Sequence, residues 1–264
     1  MMAPRFFSLS AGVIAVLSCA CAVVEAGKPR PAESQDRLIL APLIKLQKIW
    51  VRLPDQHDDG KAYPLLVVLH GNGGTARSLL SAFSGFASHG IILAAPEGPY
   101  PKPVGNSIGF SWYYETTDKS VWKQADQFSV EGIFEAINKV SAAYKIDGVF
   151  IFGFSQGASL AYMTGLRSPA LVRGIAAVGG IVPEIDKSGS ILAEADITRA
   201  KNVKVFAARG RDDGLVGKDQ YDAQVGFFKT KGYDVLGFEY EGGHQLTVEL
   251  LQKLLAWLKA NEKS

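Results

Sequence analysis

Ser155 stands in Gly153-Phe154-Ser155-Gln156-Gly157, after the apolar run Gly148-Val149-Phe150-Ile151-Phe152 and before Ala158-Ser159-Leu160-Ala161-Tyr162-Met163. That context predicts strand, sharp turn and helix, a turn that exposes a serine hydroxyl at the end of a sheet where it can act as a nucleophile. The flanking glycines fit, because a Cβ at either position would crowd the neighbouring strand and helix backbones. A serine hydroxyl is a weak nucleophile near neutral pH. It needs a base within hydrogen-bond reach and an acid to orient that base. Of the four histidines, His57, His70, His89 and His244, only His244 follows the last predicted strand, in Glu241-Gly242-Gly243-His244-Gln245. Glycines there let a loop fold back over the sheet edge. The acid should lie between Ser155 and His244. Arg209-Gly210-Arg211-Asp212-Asp213-Gly214-Leu215-Val216 ends a predicted strand, and either aspartate could orient the histidine.

Nucleophilic attack on a carbonyl also needs donors aimed at the oxyanion that develops. His70-Gly71-Asn72-Gly73-Gly74 follows a buried apolar run, and its glycines free the backbone to turn N–H groups inward. The backbone N–H of Asn72 or Gly73, with that of Gln156, would make the hole; Asn72 is preferred as the first residue after His70-Gly71. A phosphate loop fits less well, because no Gly-Lys-Ser/Thr ending is present and the glycine spacing fails the dinucleotide fingerprint. The segment Gly109-Phe110-Ser111-Trp112-Tyr113-Tyr114 is rich in aromatics that could wall a substrate pocket, with Trp112 the expected substrate-binding residue.

The elements that must position these groups are legible as periodic runs. Leu46 to Leu53 alternates as a half-buried strand. Leu65 to Leu69, Ile91 to Pro96 and Val149 to Phe152 are continuous apolar runs, as are Gly174 to Val178 and Val203 to Ala207. Such runs mark strands buried on both faces of a parallel sheet, and Val235 to Tyr240 is the expected last strand. Between them, Val130, Ile133, Phe134, Ile137, Val140 and Tyr144 recur at three- and four-residue steps, as do Tyr221, Val225 and Phe228. Val248, Leu251, Leu254, Leu255 and Leu258 form a closing helix. Strands alternating with helices predict one α/β domain, a mostly parallel central sheet with helices on both faces. Sites in such sheets form at the strands' carboxyl ends, where each motif above falls.

Taken together, His70-Gly71-Asn72-Gly73-Gly74, Gly153-Phe154-Ser155-Gln156-Gly157, Asp213-Gly214-Leu215-Val216 and Gly242-Gly243-His244 resemble the phospholipase/carboxylesterase group of the α/β-hydrolases, which includes the acyl-protein thioesterases. The chain order of serine, aspartate and histidine matches theirs. The resemblance runs from about Leu46 to the C-terminus and implies an α/β-hydrolase fold. It implies a Ser155–His244–Asp213 triad, selecting Asp213 over Asp212, and an oxyanion hole at Asn72 and Gln156. The chain departs from that group in carrying Arg209 and Arg211 where a histidine and an acid are common, and in its N-terminal segment.

Composition narrows the field further. The chain has 264 residues, 47% of them apolar, with a net charge of +2, which offers no electrostatic reason to expect nucleic acid or an anionic membrane as partner. Phe6 to Val24 is uncharged, and Val24-Glu25-Ala26 offers a small-x-small end, so residues 1–26 read as a signal peptide. Residues 27–45 form a Pro-rich lead-in, and 46–264 the hydrolase domain. Secretion or export to a periplasm is the expectation, with no stable membrane insertion after cleavage; the alternative is an anchor retained at the N-terminus. Both cysteines, Cys19 and Cys21, fall in the leader, so a mature chain would have neither a disulfide nor a thiolate metal site. The expected protein is a secreted serine carboxylesterase acting on a small-molecule ester or thioester, with no metal or organic cofactor. The alternatives are acyl transfer or amide hydrolysis by the same triad, or a silent binding module on the same fold.

Overall fold

The computed structural model describes residues 46–114 and 116–262; the expected leader and lead-in lie outside the described residues. Seven strands form one sheet in the order β1 (Ile49–Arg52), β3 (Ile92–Pro96), β2 (Tyr63–Leu69), β6 (Ile146–Phe154), β7 (Val172–Val178), β8 (Lys204–Gly210) and β9 (Val235–Tyr240). All neighbours are parallel except β1, which runs antiparallel along β3. Alternation along β2 shows why its whole run is apolar. Leu65, Val67 and Leu69 enter one core cluster, while Leu66 and Val68 enter the other. The first cluster is covered by α2 (Lys119–Ala143), α3 (Gln156–Arg167), α4 (Glu194–Arg199) and α5 (Lys218–Thr230). The second is covered by α1 (Ala76–Ala82) and α6 (Val248–Asn261).

The α2 stripe forms as its spacing predicts, with Val130, Ile133, Ile137 and Val140 buried. The helix begins earlier than the stripe, at Asp118, whose carboxylate accepts the Ser120 N–H at 2.8 Å as an N-cap. On α6, Leu254 and Leu258 are buried and Leu251 and Leu255 pack partly buried against the same cluster, as the spacing predicts; Val248 alone of the expected face lies off it. Leu250 and Trp257 are buried as well, while Val248 is 72% exposed. Trp257 adds to that face a ring that packs against Phe150 and Phe206 at 5.8 and 5.6 Å between centroids.

The short helices α1 and α4 and one hairpin have no counterpart in the sequence reading. β4 (Tyr100–Val104) and β5 (Ser107–Ser111) pair as a separate antiparallel hairpin. Its Pro101 and Pro103 argue against a central strand, and the hairpin indeed stands outside the main sheet. Phe110 exchanges backbone bonds with the loop after β2, donating to the Gly74 carbonyl at 2.8 Å and accepting the Gly73 N–H at 2.9 Å. The hairpin therefore fixes that loop. Among the described residues no helix is long and apolar enough to cross a membrane.

Replacing Trp257 with Ala should lower unfolding free energy by about 3–5 kcal/mol, read as a fall in the urea midpoint. A loss of under about 1 kcal/mol would show that α6 is not held by this ring.

Candidate active site

The carboxyl ends of β2, β6, β7 and β8 and the loop after β9 converge on one place. Ser155 joins β6 to α3 with φ 54° and ψ −119°, a region that costs a non-glycine residue about 1–3 kcal/mol. Its N–H donates to the Val178 carbonyl at 2.8 Å, and its own carbonyl accepts the Ala158 N–H at 2.9 Å. The elbow is also sterically exclusive. A Cβ on Gly157 would lie 2.3 Å from the Leu69 carbonyl oxygen, so α3 approaches β2 this closely only with glycine there. On the other side, an ideal Cβ on Gly71 would lie 3.2 Å from that of Ser155, which puts the loop after β2 beside the hydroxyl.

Asp213 is the aspartate that meets the histidine. Its Oδ2 lies 2.9 Å from His244 Nδ1, and its Oδ1 accepts the N–H groups of Leu215 at 2.9 Å and Val216 at 3.0 Å. Asp212, by contrast, is exposed and contributes only backbone, donating its N–H to the Gly242 carbonyl at 3.0 Å. Burial works to raise the Asp213 pKa. The bonds from Val216, His244 and Leu215 outweigh it and hold the carboxyl below its ordinary value. His244 is placed over the elbow from two directions. Its ring packs on Phe154, the residue before Ser155, at 4.8 Å between centroids. A Cβ on Gly179, just after β7, would lie 3.0 Å from its Cε1.

The backbone N–H groups expected as oxyanion donors differ in their partners. The Gly73 N–H is spent on the Phe110 carbonyl, which leaves Asn72 as the candidate donor of that loop. Gln156 is the first residue of α3, and its N–H has no carbonyl within the helix to bond. It also stands where the helix dipole favours negative charge.

Trp112 is not where the sequence reading put it. It is 0% exposed and presents no surface to a ligand. Its indole N–H donates to the His70 carbonyl at 2.8 Å, its backbone N–H donates to Gln156 Oε1 at 2.9 Å, and its carbonyl accepts the Ser129 hydroxyl at 2.6 Å. It thus ties the loop after β2, the elbow and α2 together, and the exposed aromatic of that segment is Tyr114. His70 was passed over in favour of its glycines. It is buried, its ring lies 5.0 Å from that of Trp112, and its Nε2 accepts the Gly98 N–H at 3.0 Å. With Nε2 accepting, the proton sits on Nδ1 and donates to the Gly71 carbonyl at 2.8 Å. Burial lowers the His70 pKa despite that bond and the Glu97 charge, which both favour the imidazolium. Among the described residues no group of three or more His, Cys, Asp or Glu side chains is placed to hold a metal ion.

This sheet order, elbow and strand-end site define an α/β-hydrolase. The chain belongs to the phospholipase/carboxylesterase family, whose model matches residues 56–262, and it is a hydrolase of carboxylic esters. It is 28% identical over 219 residues to a probable carboxylesterase SOBER1-like protein of Arabidopsis thaliana, covering 78% of this chain and 82% of that one. Among solved structures it resembles esterase PE8, with TM-score 0.65, 21% identity and 81% and 99% of the two chains covered. It also resembles Zea mays acyl-protein thioesterase 2, with TM-score 0.60, 19% identity and 81% and 99% covered.

The neutral His70 gives a signed pH dependence. Its folded pKa lies below the ordinary 6.5, so the unfolded chain takes up the proton first on acidification. The stability it contributes is complete above about pH 6.5 and is lost as the pH falls from there toward the folded value, by up to about 1.4 kcal/mol per unit. The stability gap between wild type and His70→Asn should therefore narrow in urea titrations from pH 8 to pH 5. A constant gap would mean that His70 is not held neutral.

Proposed function

We propose that the protein hydrolyses carboxylic esters and thioesters through an acyl-enzyme on Ser155, with His244 as base and Asp213 as its orienting acid. The observation that carries this reading is the 2.9 Å bond from Asp213 to His244, whose ring packs at a tilt on the residue before a serine of positive φ. Ser155 Oγ attacks the carbonyl carbon as its proton passes to His244 Nε2, and Asp213 balances the imidazolium that forms. The oxyanion takes the N–H groups of Asn72 and Gln156. Collapse of the tetrahedral intermediate breaks the bond to the alcohol or thiol, which leaves with the proton from His244. Water then attacks the acyl-enzyme, gives one proton to His244, and the acid departs as Ser155 regains it. Support for thioesters comes from the likeness to a protein named acyl-protein thioesterase. Support for export comes from residues 1–26, uncharged from Phe6 to Val24 with Val24-Glu25-Ala26 at the end, and we propose that they are removed as a leader.

Replacing Ser155 with Ala should lower kcat on a chromogenic ester by roughly 10⁴–10⁶-fold and abolish labelling by a fluorophosphonate probe. Near-normal turnover in that variant would remove Ser155 from the chemistry. N-terminal sequencing of the exported protein should begin at Gly27; a chain still starting at Met1 would argue for a retained anchor.

A further inference from the structure

Arg209 lies one residue before the end of β8, with its side chain only 5% exposed. A guanidinium so placed is costly unless its donors are paired. Its Nε–H donates to the Val216 carbonyl at 3.0 Å and its Nη2–H to the Arg211 carbonyl at 3.0 Å. Its Nη1–H donates to Glu239 Oε1 at 2.9 Å. Glu239 is its register partner on the adjacent β9, and Lys218 Nζ is 3.7 Å from that residue's other carboxylate oxygen. The two carbonyls are the two ends of the segment that carries Asp213. Val216 is bonded on both sides, its carbonyl to Arg209 and its N–H to Asp213 Oδ1. The same segment is laced to the strand and loop that lead to His244, since the N–H of Arg211 donates to the Tyr240 carbonyl and that of Asp212 to the Gly242 carbonyl.

We propose that Arg209 is the positioning residue for the acid–base pair: its planar fork clamps both ends of the 211–216 loop and so holds Asp213 at bonding distance from His244, with Glu239 as counter-ion. The proposal rests on the Ser155–His244–Asp213 reading. Geometry rather than charge is what the site uses, because three donors in one plane reach two carbonyls and a carboxylate together. A lysine keeps the charge but offers a compact ammonium without that fork.

The test is Arg209→Lys, made alone and in an Asp213→Asn background. Three quantities are read: kcat, KM on p-nitrophenyl acetate, and the downfield proton resonance of the His244 Nδ1–H bond. The single variant should lower kcat about 10²-fold, leave KM within about twofold and weaken the resonance. It should cost nothing further once Asp213 is Asn, since its effect passes through that residue. A wild-type kcat in Arg209→Lys, or the same loss repeated in the Asp213→Asn background, overturns the clamp. If Arg209→Lys does not fold, Glu239→Gln takes its place. It weakens a charge-assisted bond and should lower kcat roughly 3- to 10-fold, again with no further loss beside Asp213→Asn; no loss alone, or a persistent loss there, overturns the clamp equally. Wild-type kcat in Asp213→Asn itself would instead remove the triad reading beneath it, whatever Arg209 does.

Discussion

The Asp213 side chain has no solvent-accessible surface, yet its carboxyl is held below its ordinary pKa, which favours the anion. Taking a carboxylate out of water costs several kcal/mol unless fixed donors replace the lost hydration. Here the donors are the N–H groups of Leu215 and Val216 and the ring of His244. Two of the three belong to the aspartate's own loop, so its charge depends on that loop's shape. The shape depends in turn on where β8 ends and on what holds residues 211–216. A loop of this length with exposed Asp212, Gly214 and Leu215 has little packing of its own, and its hydrogen bonds to β8, β9 and the His244 loop must do that work.

The elbow obeys a similar logic. Ser155 keeps a left-handed backbone because both neighbours of the turn are pinned, β6 in the middle of the sheet and α3 against β2. Strain of this size persists only where the surroundings over-determine it. Trp112 extends the constraint to the loop after β2. Its buried ring donates to the His70 carbonyl, while its backbone N–H and carbonyl bond the Gln156 side chain and the Ser129 hydroxyl of α2, so the loop after β2, the elbow and α2 are held together. The β4–β5 hairpin closes the set by occupying the Gly73 N–H.

Much of this was legible before any coordinates. The parallel strands read as apolar runs because both faces are buried, and their loops carry the residue types that nucleophilic catalysis needs. Ser155 and His244 could be picked out by that chemistry and by chain order. The acid could not be separated from residues alone, since Asp212 and Asp213 are both good turn residues; only the family likeness chose between them. Trp112 was misread because a loop has no period, and without one an aromatic that packs inward looks the same as one that faces a ligand. His70 and Arg209 were noted but given no role, because buried polar residues show what they do only through partners distant in the chain.

The amino-acid sequence by itself determined the class of sheet, the helices that cover it and the residue types available at its carboxyl edge. These follow from local periodicity and from side-chain chemistry, which are properties of short segments. Tertiary structure alone decided which aspartate lost its water and met His244, which N–H of the glycine loop was already occupied, and that Trp112 braces the site rather than lining it. Each of those is a choice between near-equal local alternatives, settled by hydrogen bonds between residues some thirty to forty-five positions apart, and such bonds exist only once the strands have been laid side by side.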